Sequence, residues 1–203
     1  MNNSVQVGKV APNFLTLGIY KNRLGKIRLS DYQGKKYVLL IFYPANFTSV
    51  SFTELIQLSD RIAEFSQLST QILAISVDSP FSHLQYLLLQ RNQGGLAELQ
   101  YPLVSDLNQT ITKNYQLLTN DGLSLPGAFI IDKEGIIQYY NVNNLLCGRN
   151  IDELVRVLKS IQYIKENPGQ ACPANWKNGD QTFSSHPLKA KAYFKTFYSY
   201  KSE

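Results

Sequence analysis

The stretch Tyr37–Gln67, YVLLIFYPANFTSVSFTELIQLSDRIAEFSQ, decides the fold. Its first seven residues, Tyr37–Tyr43, are apolar without interruption, which predicts a strand buried on both faces. Pro44 ends that run, and Ala45–Thr48 reads as a loop. From Val50 to Gln67 the apolar residues Leu55, Leu58, Ile62 and Phe65 recur at three- and four-residue steps, the pattern of an amphipathic helix. A buried strand therefore delivers the chain to the first turn of a helix. Backbone N–H groups without helical partners and the positive end of the helix dipole favour an anion at such a place. A cysteine there would be a low-pKa thiolate. This sequence puts Ser51 there instead.

Working outward, Phe14–Leu17 and Lys26–Leu29 read as a hairpin around Asn22–Gly25. Gln71–Val77 is a second buried strand. Ser79-Pro80 opens a helix running to about Arg91, broken by Gly94-Gly95. Tyr101–Ser105 is a short strand and Asp106–Tyr115 a short helix. Gly127–Asp132 and Ile136–Val142 flank the turn at 132–135 as an antiparallel hairpin. A last helix starts at Asn150, which with Glu153 forms a capping-box variant, and Leu154, Val157, Leu158 and Ile161 are its apolar face. Asn167-Pro168-Gly169 stops it. The remainder, 170–203, has no clean period and reads as an arm that packs on something else, such as a second subunit. Alternating strands and helices closed by a hairpin give an α/β class, a mixed central sheet with helices on both faces.

The 203 residues fit one domain with a tail, and 44% apolar content supplies a core. No uninterrupted apolar run approaches the length of a membrane-spanning helix. The opening MNNSVQVGKVAPNF lacks the basic and apolar segments of a secretory signal, so the chain is expected to act where it is made or to have been trimmed. Net charge is +5, with Lys177, Lys189, Lys191, Lys195 and Lys201 in the last quarter. These read as a solvated tail, and no nucleic-acid motif accompanies them. Two cysteines, Cys147 and Cys172, are too few for a disulfide framework or a closed zinc site.

The run FYPANFTSVSFTE resembles the active-site motif of the typical two-cysteine peroxiredoxins, which reads FYPxxFTFVCPTE. Pro44, Thr48 and Glu54 match it, Ser51 takes the place of the peroxidatic cysteine, and Phe52 that of the following proline. VGKVAPNF, Gly94-Gly95-Leu96, YPLVSD and the long run from Gly127 to Ile164 are similar to the same family. GQACPANW resembles its resolving-cysteine motif, on Cys172, and Tyr193-Phe194 its C-terminal motif. The wording is nearest to the cyanobacterial and plastid branch.

The resemblance implies a thioredoxin-like fold of the peroxiredoxin type, with a domain over 1–165 and a dimerisation arm over 166–203 carrying the resolving-cysteine motif. It implies descent from a thioredoxin-dependent hydroperoxide reductase, an antioxidant working as a homodimer or a ring of dimers, with no cofactor, metal, nucleic acid or membrane. The branch implies a plastid location, with which an Ile and Asn content that suits an AT-rich genome such as an organelle's agrees; the alternative expectation is cytoplasmic. The site residues it implies are Ser51, Thr48, Pro44, Cys172 and Arg149, the last a source of positive charge. It also shows a second departure: the family's arginine before the GLFIID strand is Pro126 here. A serine hydroxyl is a weak nucleophile without an adjacent base, so family-type turnover is expected to be impaired or absent.

Three rivals stand beside that reading. The protein could serve as a non-catalytic, chaperone-like or regulatory oligomer. It could run redox chemistry on Cys147 and Cys172; for Cys147 the plain expectation is a small buried residue, the sharper one a thiol activated by Arg149. A hydrolase triad on Ser51 would have to use His83 or His186, and no nucleophile-elbow motif surrounds Ser51.

Overall fold

The computed structural model describes residues 5–199, so Lys201 lies outside the described residues. The chain divides into two compact units, Met1–Ile151 and Asp152–Glu203. In the first, a seven-stranded mixed sheet is built from β1 (Leu15–Tyr20), β2 (Arg23–Arg28), β3 (Tyr37–Phe42), β4 (Thr70–Ser76), β5 (Leu103–Ser105), β6 (Gly127–Ile131) and β7 (Ile137–Val142) in the order β2-β1-β5-β4-β3-β6-β7. β3, β4 and β5 run parallel at its centre, and the flanking pairs are antiparallel. All six residues of β3 are buried, as its continuous apolar run requires. Val38, Leu40 and Phe42 point into one core layer with Leu73, Ile75, Val104 and Phe129. In that layer Phe42, Tyr115 and Phe129 meet in tilted and edge-on contacts with ring centroids 5.0–5.7 Å apart.

The helices of this unit are α1 (Ser49–Asp60), α2 (Ile62–Gln67), α3 (Pro80–Leu88) and α4 (Thr110–Asn114). α2 packs on β4, and α3 on β1 and β5. The helix expected over 50–67 is two helices broken at Arg61, the C-cap of α1. Next to the break, Ser59 Oγ accepts a hydrogen bond from Gln100 N–H and Asp60 pairs with Arg91 at 2.7 Å. Those partners lie far along the chain, and no local period encodes them. α3 ends at Leu88, three residues before Arg91. A Cβ on Gly95 would fall 2.2 Å from the Leu89 carbonyl oxygen, and Leu96 N–H bonds Tyr86 C=O at 2.8 Å. The Gly94-Gly95 loop thus folds back onto the helix end and closes it early.

The first hairpin turns at Lys21-Asn22, both with positive φ (49° and 58°), a type I′ turn, while Gly25 pairs with Gly18 inside the strands. The turn expected at 22–25 therefore falls earlier, between the paired Tyr20 and Arg23, and Gly25 belongs to β2.

The second unit holds most of α5 (Ile151–Glu166), then β8 (Gln170–Ala171) paired with β9 (Phe183–Ser184), and α6 (Pro187–Phe197). The apolar residues expected of α5, Leu154, Val157, Leu158 and Ile161, are buried. The 170–203 segment was expected to lack periodicity, yet α6 forms there with Pro187 in its first turn. Ala190, Tyr193, Phe194 and Phe197 of α6 recur at helical spacing, but only Ala190 is buried, and Phe194 and Phe197 are 44% and 50% exposed. Tyr193 packs between Phe183 (5.0 Å) and Phe197 (4.4 Å).

Candidate functional site

Ser51 lies where the strand-to-helix reading expects it. Thr48 is the N-cap of α1, with extended φ and ψ, and Ser51 is the third helical residue. The first helical bond runs from Phe52 N–H to the Thr48 carbonyl at 3.0 Å, so the N–H groups of residues 49–51 precede the helical ladder. Ser51 is 3% exposed. Its Oγ is 2.7 Å from Thr48 Oγ1, which also lies 2.8 Å from the Ala45 carbonyl. A carbonyl only accepts, so with Thr48 donating to Ala45 the proton between the two side chains comes from Ser51.

Pro44 is buried at the end of β3. The loop after it is held by a polar network that sequence reasoning did not find. Asn46 N–H donates to Asp78 Oδ2 at 2.7 Å, Asn46 Nδ2 to Ser82 Oγ at 2.8 Å, and Tyr43 Oη to Asn46 Oδ1 at 2.9 Å. His83, fully buried, sits 3.2 Å from both Asn46 Oδ1 and the Val104 carbonyl. Burial pushes its pKa down, with the Asp78 charge opposing, and burial pushes the Tyr43 phenol well up. His83 is thus engaged with Asn46, Tyr43 and Val104, and no hydrogen bond joins it to Ser51. Within the loop Phe47 adopts φ 62°, unusual for a side-chain-bearing residue, with its ring 4.5 Å from that of Tyr86.

Arg149 is buried, 6% exposed. Its Nε donates to Glu54 Oε1 at 2.9 Å, its Nη2 to Glu54 Oε2, and its Nη1 to the carbonyls of Phe42 (3.0 Å) and Gly127 (2.6 Å). Its backbone N–H also donates to Glu54 Oε1 at 2.6 Å. The guanidinium is therefore matched by a carboxylate in a bidentate pair, and its positive charge is committed. It ties α1 to the end of β3 and the start of β6. Glu54 is the partner that completes this tie, and the motif FTE was its only sequence signal.

Cys147 corrects an expectation: it is exposed, not buried, in the loop after β7. The thiol faces solvent because Asn143 and Asn144, by bonding the backbone at residues 146 and 147, hold this segment in a turn. The next residue, Gly148, lies against Val50, where an added Cβ would be 3.6 Å from Val50 Cγ1. Cys172, in the second unit, is a half-buried free thiol. Burial pushes its pKa up, and Arg156 partly opposes that. Among the described residues no group of three or more His, Cys, Asp or Glu is arranged to hold a metal.

Comparison with known proteins agrees along nearly the whole chain. Residues 7–140 match the AhpC/TSA family, and residues 160–196 match the C-terminal domain of 1-Cys peroxiredoxin. The chain is 73% identical over 199 residues to the putative peroxiredoxin ycf42 of Trieres chinensis, covering 98% of each. It is 52% identical over 191 residues to the chloroplastic 2-cysteine peroxiredoxin of Chattonella marina var. antiqua, covering 94% of this chain and 98% of that one. The reduced 2-Cys peroxiredoxin of Plasmodium vivax superposes with a TM-score of 0.91 at 36% identity, covering 93% of this chain and 98% of that one. The strand-to-helix junction, the mixed sheet around it and these matches lead to one conclusion: the chain belongs to the AhpC/TSA family and is a peroxiredoxin homologue of the plastid 2-Cys type.

Proposed function

We propose that this peroxiredoxin keeps the framework of a thioredoxin-dependent hydroperoxide reductase while its pocket at Ser51 does not run the family's peroxide chemistry. The single observation that carries the reading is an oxygen, Ser51 Oγ, buried in the first turn of α1 beside Thr48 Oγ1, at the place where the resemblance puts the peroxidatic sulfur. Peroxide reduction takes two electrons from the attacking atom. A thiolate supplies them: an S–O bond forms, the O–O bond breaks, the distal oxygen leaves as hydroxide or alkoxide, and sulfur becomes a sulfenic acid. A serine oxygen attacking the same bond would only make another O–O bond, so nothing is reduced. It also lacks an adjacent base to ionise it. Pro126 stands where the resemblance expects an arginine, and the Arg149 charge is committed to Glu54.

In this reading Pro44 and Thr48 shape a catalytically idle pocket, Cys172 keeps the resolving position without a sulfenic acid to attack, and the protein acts as a homodimer or ring of dimers in the plastid. The relative named above as chloroplastic supports that location.

The test is hydrogen peroxide consumption by the purified chain with thioredoxin, thioredoxin reductase and NADPH. The wild type is expected to match its heat-denatured control, and Ser51→Cys with Pro126→Arg to turn over. A second reading, a working redox enzyme on Cys147 and Cys172, is favoured by the exposure of Cys147. Robust wild-type consumption that is lost in Cys147→Ala would establish it and refute the idle pocket.

A further inference from the structure

The hairpin Leu15–Arg28 carries Lys21, Arg23, Lys26 and Arg28 and not one of the fifteen acidic residues. Among the described residues none of these four cations has a carboxylate partner; Lys21 Nζ lies over the Tyr20 ring at 5.4 Å. β2 is an edge strand of the seven-stranded sheet, and all its residues but Ile27 are exposed. Its pairing register fixes which groups face outward. A two-residue turn closes on a hydrogen-bonded pair, here Tyr20 with Arg23, and pairs then alternate along the ladder. The bond from Leu29 N–H to the Phe14 carbonyl, 3.2 Å, falls in that alternation. The main-chain N–H and C=O of Leu24, Lys26 and Arg28 therefore point away from β1, to the open edge. Their side chains share one face with Leu15 and Leu17, which lie across the ladder from Arg28 and Lys26. Leu15, Leu17 and Leu24 are 51%, 42% and 52% exposed.

We propose that the β2 edge is a docking site for an extended acidic polypeptide segment, which adds an eighth strand with carboxylates at alternate positions. Alternate residues of a strand recur about every 7 Å on one face, the spacing at which Lys26 and Arg28 present their charges. The outward main-chain groups suit a polypeptide, which can complete the ladder; a lipid surface or a nucleic acid makes no use of them. A second copy of the same edge is disfavoured, because it would set cation against cation. Charge on an edge strand also guards against unwanted pairing. That need alone does not account for β2, since the opposite edge, β7, has no charged residue at all. The exposed leucines offer the apolar residues of an incoming strand a surface beside the charges.

The probes are two N-acetylated heptapeptides, one alternating glutamate with valine and one alternating lysine with valine, titrated by fluorescence anisotropy into the full chain. The glutamate peptide is expected to bind, to weaken with salt, and to slow hydrogen exchange in the Tyr20–Leu29 segment. Lys26→Glu with Arg28→Glu, both at exposed positions, is expected to weaken the glutamate peptide by about tenfold or more and to let the lysine peptide bind instead. Leu24→Pro keeps all four cations and removes one outward N–H, and is also expected to weaken the glutamate peptide. Equal binding of the glutamate peptide to wild type and charge-reversed chain overturns the proposal. So does exchange protection elsewhere, or binding of anionic phospholipid vesicles or an oligonucleotide by a chain that ignores the peptide.

Discussion

The neighbourhood of residue 51 and the neighbourhoods of residues 147 and 172 differ in opposite ways. Around Ser51 there is architecture: a helix start, a capping threonine, a loop pinned by Asp78, Ser82 and His83, and a buried Glu54–Arg149 pair beneath α1. What stands in it is an oxygen. At Cys147 and Cys172 there is sulfur without comparable architecture. Cys147 lies exposed on a turn, and Cys172 is half-buried with its thiol pushed up by burial. Thiol chemistry needs both at one place, because the surroundings set the fraction of thiolate and the access to it.

The largest expected effect comes from putting sulfur into the pocket. Ser51→Cys alone should gain thiol reactivity, and adding Pro126→Arg should raise peroxide consumption by roughly 10³-fold or more over wild type, on the scale that loss of a covalent nucleophile costs other enzymes. A double variant no faster than Cys147→Ala would break the contrast between architecture and atom.

Next in size is the architecture itself. Glu54→Leu leaves the Arg149 guanidinium buried without its carboxylate and should cost about 3–5 kcal/mol, read as a fall in Tm of about 10 °C. An unchanged melting curve would mean that the pair does not hold the pocket together. Thr48→Val removes one partner of the Ser51 hydroxyl and should cost about 1 kcal/mol, measured by urea unfolding.

The smallest effects lie at the loose thiols. Iodoacetamide at pH 7.5, followed by mass spectrometry, should label exposed Cys147 before Cys172. A raised pKa means less thiolate at this pH, and Arg156 lowers it; Arg156→Gln should therefore raise the Cys172 pKa further and slow its labelling, by about twofold given the exposure of the arginine. Faster labelling of Cys172 in that variant would reverse the sign and sharpen the case for a different local charge.

The two halves of the chain were not equally legible. The uninterrupted run Tyr37–Tyr43 and the spacing of Leu55 and Leu58 locate β3 and the start of α1, with Ser51 in its first turn, to within a residue, because burial on both faces and a helical stripe each leave a periodic trace. The α6 helix was not legible, although Ala190, Tyr193, Phe194 and Phe197 stand at helical spacing, because exposed aromatics and lysines around them leave no clean division into an apolar and a polar face. The exposure of Cys147 was equally invisible: a small residue reads the same in a core or on a turn.

Sequence by itself determined the succession of the seven strands of the central sheet, the serine at the strand-to-helix junction and the placement in the AhpC/TSA family, since all three depend on residue types and local period. Tertiary structure alone decided that the Arg149 charge is committed to Glu54, that Asn46 and His83 pin the pocket loop, and that β2 opens a cationic edge. The physical reason is distance along the chain. Charge compensation and main-chain satisfaction are settled by partners tens of residues away, and no local pattern records which partner arrives.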